Sequence, residues 1–238
     1  MKIQTASYTD IGGRGCNEDS VRLVRHPRGG LCAVVADGLG GHGGGDRASQ
    51  TAAAVICDSW DGATTPQALI GPIQKAHQQI CAQQTKQIPM RSTVAALVLD
   101  DHGAAHAHAG DTRLYHFYQG KLVFQTVDHS ASQIAVLMGE ITVDQIRFHE
   151  DRNRVLKCLG QPDMIQPTAA DCPMAPGDHA FLLCTDGFWE YVLEPEMEQD
   201  LLAARDPEDW LDRMRRRLEQ RIPADNDNNT AAAIWATV

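Results

Sequence analysis

The stretch from Leu31 to Ser49, LCAVVADGLGGHGGGDRAS, constrains this chain more than any other. Leu31 to Ala36 is a short apolar, valine-containing run bounded by turn residues, which reads as a buried strand. It ends on Asp37, and six of the eight positions from Gly38 to Gly45 are glycine. A carboxylate at a strand end, followed by backbone stripped of side chains, suits a hard cation held by an aspartate and a main-chain carbonyl. From Asp46 the composition turns to alanine-rich helix, with Ser49, Thr51 and Ala52 to Ala54 placed for close packing.

Two rival readings compete for the same residues. Gly38-Leu39-Gly40-Gly41-His42-Gly43 fits G-x-G-x-x-G between a strand and a helix, the dinucleotide fingerprint. Asp37 argues against it, because it sets a negative charge at the mouth of a loop that should receive pyrophosphate. The ribose-binding acid expected at the end of a second strand is also missing: Asp58 closes a helix instead. The other rival is a tight glycine turn with no chemistry.

With 238 residues and no linker or low-complexity segment, the chain is expected to form one domain spanning 1–238. Its seven cysteines are scattered without a C-x-x-C pair and no signal peptide is evident. Reduced thiols and a cytoplasmic location are therefore expected. The formal net charge of −10 disfavours nucleic acid and anionic membrane as partners. The basic cluster from Arg213 to Arg217 is interleaved with acids at helical spacing, and a solvated helix face is expected there. An anionic substrate would then need bound cations to overturn the local field.

Taken in order, Ile3 to Thr9 and Ser20 to Arg25 read as strands around a turn at Asp10 to Gly13. Between them, Arg14 precedes Glu18 and Asp19, either as a surface ion pair or as a guanidinium fork for phosphate. Ala48 to Trp60 and Pro66 to Thr85 have helical periodicity. Strands at 93–99, 103–109, 113–118 and 121–126, joined by short turns, predict an antiparallel meander. His106 and His108 alternate on one strand without a third ligand at matching spacing, so ordinary strand histidines are expected. The segment 131–160, with short helices at Ser132 and after Thr142 and a charged run near Arg152 and Arg154, reads as a surface flap. Ala180 to Cys184 is a strand delivering Asp186-Gly187, and helices follow near 195–204 and 208–220. Asp225 to Thr230 then leads into a last strand.

Asp37, Asp186 and Asp227 thus sit at strand boundaries, and Asp111 in a turn. Converging carboxylates without partner lysines repel one another. A pair of divalent cations resolves that, and all-oxygen ligation favours magnesium or manganese over zinc. The motifs R-x-x-N-E-D (Arg14 to Asp19), V-V-A-D-G-L-G-G-H, S-T-V-A-A-L, A-G-D-T-R-L-Y (Ala109 to Tyr115), D-H-S, C-L-G, L-L-C-T-D-G-F-W and D-N-N-T occur in that order. Together they resemble bacterial metal-dependent Ser/Thr protein phosphatases of the type 2C (PPM) family.

The resemblance spans about Ile3 to Val238 and implies an α+β fold. That fold is a four-layer α-β-β-α sandwich, two packed antiparallel sheets flanked by helix pairs. It implies hydrolysis of phosphoserine and phosphothreonine by a metal-bridging hydroxide, with two core Mn2+ or Mg2+ ions and a weak third. By resemblance, Asp37 bridges the two core ions, the Gly38 carbonyl ligates one, and Asp186 and Asp227 complete the other's shell. Glu18 and Asp19 act through metal-bound waters, Arg14 holds the phosphate, and Asp111 with Asp186 forms the third site. Leu39 stands where the animal branch has a proposed histidine acid, and His42 has a turn role as an alternative. The leaving-group acid therefore stays unassigned. Phosphoprotein substrates, a cognate Ser/Thr kinase and a monomeric state are expected. The competing classes are a phosphatase of anti-sigma-factor antagonists, usually fused to sensor domains, and a non-catalytic module that would have lost metal aspartates.

Overall fold

Strand β3 is apolar from Leu31 to Ala36 because it is covered on both faces there, and the rest of the architecture follows from that burial. The molecule, a computed structural model, is described for residues 1–27, 29–40 and 43–238. In chain order it comprises β1 (Lys2–Asp10), β2 (Asp19–Arg25), β3 (Leu31–Leu39), α1 (Gly45–Ser59) and α2 (Gln67–Gln83). There follow β4 (Arg91–Ser92), β5 (Val94–Asp100), β6 (Gly103–Ala109), β7 (Arg113–Tyr118), β8 (Lys121–Gln125), α3 (Ala131–Leu137) and a 3-10 turn (Val143–Phe148). The chain closes with β9 (Thr168–Cys172), β10 (Asp178–Cys184), α4 (Asp186–Trp189), α5 (Glu194–Ala203), α6 (Pro207–Glu219) and β11 (Asn229–Thr237).

One antiparallel sheet has the order β1-β11-β10-β7-β8, the other β2-β3-β5-β6-β9 with β4 added beside β3. Leu31, Ala33 and Val35 of β3 meet Leu114, Phe181, Leu183 and Ile234 of the facing sheet. The alternate residues Cys32, Val34 and Ala36 pack under Ala52, Ile56, Ile73 and Ile80 of α1 and α2. Across the other sheet, Tyr115, Phe117, Leu182 and Ala233 pack under Trp210, Met214 and Leu218 of α6. The result is the expected helix-sheet-sheet-helix stack. No described helix is long and apolar enough to cross a membrane.

Two expectations need correction, and one strand was not anticipated. The four strands from 93 to 126 are not one meander: β5–β6 and β7–β8 are hairpins in different sheets. Gly110-Asp111-Thr112 is therefore a crossover between the sheets, although its composition is that of a hairpin turn. Strand β9, TAADC, pairs with β6 at the sheet edge and has a single β-branched residue, Thr168, and no aromatic one to announce a strand. The arginines of α6 are not simply solvated. Arg217 holds Asp200 of α5 at 2.6 Å, and the Arg215 guanidinium lies 4.3 Å from the Tyr8 ring centroid on β1.

Where the sandwich reaches the β6, β7 and β10 edge, the filling between the sheets changes from aliphatic to imidazole. His106 and His108 follow Ala104 at strand spacing, His116 follows Leu114, and His179 precedes Phe181. All four histidines are buried. His179 Nε2–H donates to the Ala175 carbonyl (2.7 Å), so its Nδ1 accepts from His116 Nε2–H (2.9 Å). His108 Nε2–H donates to the Val127 carbonyl at 2.9 Å. His106 Nδ1 lies 3.4 Å from the Cys172 Sγ.

Burial, with a smaller push from His108, takes His106 down to about 4; burial and His179 take His116 to about 4. The unfolded chain binds protons near the ordinary value of about 6.5, whereas the folded chain refuses them until about 4. Stability is therefore expected to fall as pH drops through that window, by about 1.4 kcal/mol per pH unit for each such histidine. Urea unfolding from pH 7 to 4 checks this: His106→Phe should flatten the decline, and an unchanged slope would refute it.

Candidate metal and phosphate site

Asp37 is placed by three strands at once. In β3 it pairs across to Asp19 of β2, and its own N–H and C=O are held by Thr93. Thr93 Oγ1 accepts from Asp37 N at 3.2 Å, Thr93 N donates to Asp37 O at 2.8 Å, and Ser92 Oγ donates to the same carbonyl at 3.0 Å. The strand continues to Leu39 because Gly38 can thread a gap closed to other residues. A Cβ on Gly38 would lie 2.2 Å from the Gly45 carbonyl oxygen and 2.7 Å from that of Glu18.

The other acids arrive from separate parts of the chain. Asp186 opens α4 directly after β10, and its Oδ1 accepts from Gly187 N at 2.7 Å. Asp227 lies in the loop before β11, and Asp111 in the crossover between the sheets. Glu18 precedes β2, its backbone N–H bonded to Asn228 Oδ1 at 2.8 Å and its carbonyl accepting from Gly38 N at 3.0 Å. Asn228 also donates from Nδ2 to the carbonyls of Ile11 and Cys16, at 2.8 and 3.0 Å. One side chain thereby staples the Arg14 loop to the Asp227 loop.

Arg14, Glu18, Asp37, Gly38, Asp111, Asp186 and Asp227 line one cavity of about 690 Å³. Asp19 does not reach its wall: its carboxylate is buried behind, accepting from Thr185 Oγ1 at 2.8 Å. His42 lies outside the described residues. The cavity adds three polar residues that the sequence did not single out. Asp46 comes from the first turn of α1, Asn228 from the loop staple and Asn153 from the flap. An Asp at a helix start reads as routine capping, and an Asn in a charged run carries no spacing signal, which is why they were missed.

The electrostatics of this cavity are lopsided. Burial first, then the charges of Asp186, Asp19, Asp111 and Asp227, hold the Asp37 carboxyl far above the usual carboxylate range. Burial with Asp111, Glu190, Asp227 and Asp19 does the same to Asp186. Burial and then Asp128 raise Asp111 to about 7, and burial is the main cause of the rise to about 7 at Asp19. Among the described residues, Arg14 is the only cationic side chain on the wall. Its fork is engaged, Nε to Asp227 Oδ1 at 3.0 Å and an Nη to Oδ2 at 2.9 Å. It therefore makes an ion pair, half-exposed, but with Asp227 rather than with Glu18 or Asp19.

Asp111 supplies the observation that distinguishes a cation site from a mere acidic cluster. Its side chain is 2% exposed, and its Oδ1 has no hydrogen-bond partner among the described residues. A buried carboxylate oxygen with no donor is expensive unless something positive occupies the space before it. With carboxylates as the converging donors and, among the described residues, no lysine on the wall, the residues present fit hard divalent cations such as Mg2+ or Mn2+.

Comparison with known proteins agrees with this geometry. The profile described as protein phosphatase 2C matches residues 11–229. The serine/threonine phosphatase stp of Listeria monocytogenes is 30% identical over 212 residues, covering 83% of this chain and 82% of that protein. The crystal structure of the Mycobacterium tuberculosis serine/threonine phosphatase PstP/Ppp superposes with a TM-score of 0.84 at 26% identity, over 98% of this chain and 97% of that one. The PstP catalytic domain in complex with two manganese ions superposes with a TM-score of 0.82 at 24% identity, over 99% and 98% of the two chains. The chain belongs to the protein phosphatase 2C family.

Proposed function

We propose that this chain is a phosphatase for phosphoserine and phosphothreonine on proteins, with Asp37, Asp186 and Asp227 holding two divalent cations in the 690 Å³ cavity. The convergence of mutually repelling carboxylates at one end of the sandwich carries the reading. Bound there, such cations supply Lewis acidity toward phosphoryl oxygens and a water made acidic enough to attack phosphorus at neutral pH. The protein's part is geometric. Thr93 and Ser92 fix the Asp37 backbone, Asn228 fixes the two loops that carry Arg14 and Asp227, and the Gly38 carbonyl is left as a further ligand.

Arg14 is the phosphate clamp in this reading. Its loop position beside Asp227 allows the fork to exchange a carboxylate for two phosphoryl oxygens, which share the same bidentate geometry. Glu18 and Asp19 act one layer out: the Glu18 carboxylate faces Gly45 and Asp46, and Asp19 braces Thr185 next to Asp186. Asp111 and Asp186 offer a third, weaker cation site. The partner kinase is one that phosphorylates the same serines and threonines.

Three outcomes test this reading. Because Asp37 sits among like charges, Asp37→Asn should remove most phosphatase activity yet raise the melting temperature in chelator by a few degrees, about 1 kcal/mol or more for a chain of this size. Mn2+ should raise the melting temperature of the native chain but hardly that of the variant. A variant that is less stable in chelator would contradict the repulsion on which the cation reading stands. Separately, Arg14→Ala should raise KM for an aryl phosphate about tenfold or more with a smaller change in kcat, and Arg14→Lys should rescue poorly. An unchanged KM would leave Arg14 as a partner of Asp227 alone. Within the flap, Arg152 is tied to Glu190 at 2.8 Å, whereas Arg154 is exposed. Arg154→Glu should therefore change kcat/KM on a phosphoprotein and leave that on an aryl phosphate within about twofold. Equal losses on both would remove the flap from substrate choice.

A further inference from the structure

Asp111 and Asp186 belong to different segments, one a crossover between sheets and the other the start of α4. Something must fix their separation if both are to face one cation. Among the described residues, a single hydrogen bond joins the two segments: Trp189 Nε1–H donates to the Asp111 carbonyl at 3.0 Å. Trp189 is the last residue of the same short helix that Asp186 begins, and it is 1% exposed.

The indole is itself clamped by charge. The Arg113 guanidinium lies 3.6 Å from its ring centroid, within stacking distance of the π face. That guanidinium cannot drift, because Asp128 takes it in a fork at 2.9 and 2.7 Å and the Tyr115 hydroxyl accepts from it at 3.1 Å. From the flap, Arg147 donates to the Trp189 carbonyl and grips Glu194 at 2.6 and 2.7 Å. The cost of burying two arginines and their acids is large, and breaking the Arg113–Asp128 pair would leave an uncompensated buried charge. Packing alone would be served as well by an aliphatic core.

The geometry points to Trp189 as a positioning residue: its indole N–H, held rigid by Arg113 and by Arg147 of the flap, sets the distance between Asp111 and Asp186 and hence the occupancy of the weaker cation site. This rests on the assignment of Asp111 and Asp186 to that site. The indole touches neither substrate nor cation, so its effect must pass through Asp111. A residue in that relation to a metal site alters affinity by about 10–100-fold when replaced.

The test is calorimetric titration with Mn2+, comparing Trp189→Phe, Asp111→Ala and the double variant with the native chain. Phenylalanine keeps a ring under Arg113 and removes the donor together with part of the indole's volume, so the double variant is needed to separate the hydrogen bond from the packing. Trp189→Phe should weaken the looser class of Mn2+ sites about tenfold while leaving the tighter class unchanged. The double variant should bind Mn2+ no more weakly than Asp111→Ala alone. An unaltered looser class in Trp189→Phe, equal loss of the tighter class, or additive losses in the double variant would each overturn the inference. If Asp111→Ala keeps the looser class, the Asp111 assignment itself falls and takes the inference with it. If only Trp189→Phe keeps it, the indole's role alone is rejected. Should Trp189→Phe not fold, the native chain still answers by NMR. Its Trp189 indole N–H signal should shift in the looser phase of a Mg2+ titration, and Asp111→Ala should abolish that shift. A signal indifferent to that phase would overturn the proposal.

Discussion

Mutual repulsion among carboxylates is the constraint around which this protein is arranged. Burial, and then the charges of neighbouring acids including Asp111 and Asp227, raise the proton affinity of Asp37 and Asp186, and among the described residues Arg14 is the only cationic side chain on their cavity wall. A fold assembled for stability alone would disperse them. Here each is instead held by its own backbone: Asp37 by Thr93 and Ser92, Asp111 by Trp189, Asp186 by the helix that follows it. Main-chain anchoring leaves the Asp111 Oδ1 without a partner and available for a ligand, whereas the Asp227 carboxylate is taken by the Arg14 fork. Local destabilisation of this kind is the usual mark of a functional site.

The two-sheet architecture makes the convergence possible. Strand β3 brings Asp37 from one sheet and β10 brings Asp186 from the other, while the 110–112 crossover passes between them. Each sheet is stiffened by a helix pair on its outer face, so both carboxylates ride on regular elements rather than on loose loops. At the β6, β7 and β10 edge the space between the sheets is filled by imidazoles, among which burial lowers the proton affinity of His106, His108 and His116.

Most of the elements were legible in the sequence because apolar runs ending in Asp-Gly announce both their length and their use. The β3 and β10 runs and the periodicity of α2 led directly to strands and helix in place. The meander failed for a physical reason: Gly110-Asp111 has the same turn chemistry whether the next strand pairs beside β6 or leaves for the other sheet. Local sequence encodes the turn, and partner choice is settled by packing. The aspartates of the cavity wall could be found from their positions at strand ends and turns and from the family resemblance. Their supports could not, because Thr93, Asn228 and Trp189 act across 56, 210 or more and 78 residues of sequence. Arg14 was visible as a candidate, but its pairing with Asp227 depends on a loop closure no local pattern records.

The central claim is that these carboxylates converge in order to hold cations. Anomalous diffraction at the manganese edge, from crystals grown in Mn2+, tests it most directly. The account predicts peaks at about 2.0–2.3 Å from carboxylate oxygens of Asp37, Asp186 and Asp227. A cavity without peaks at saturating Mn2+, or peaks confined to other parts of the molecule, would contradict it.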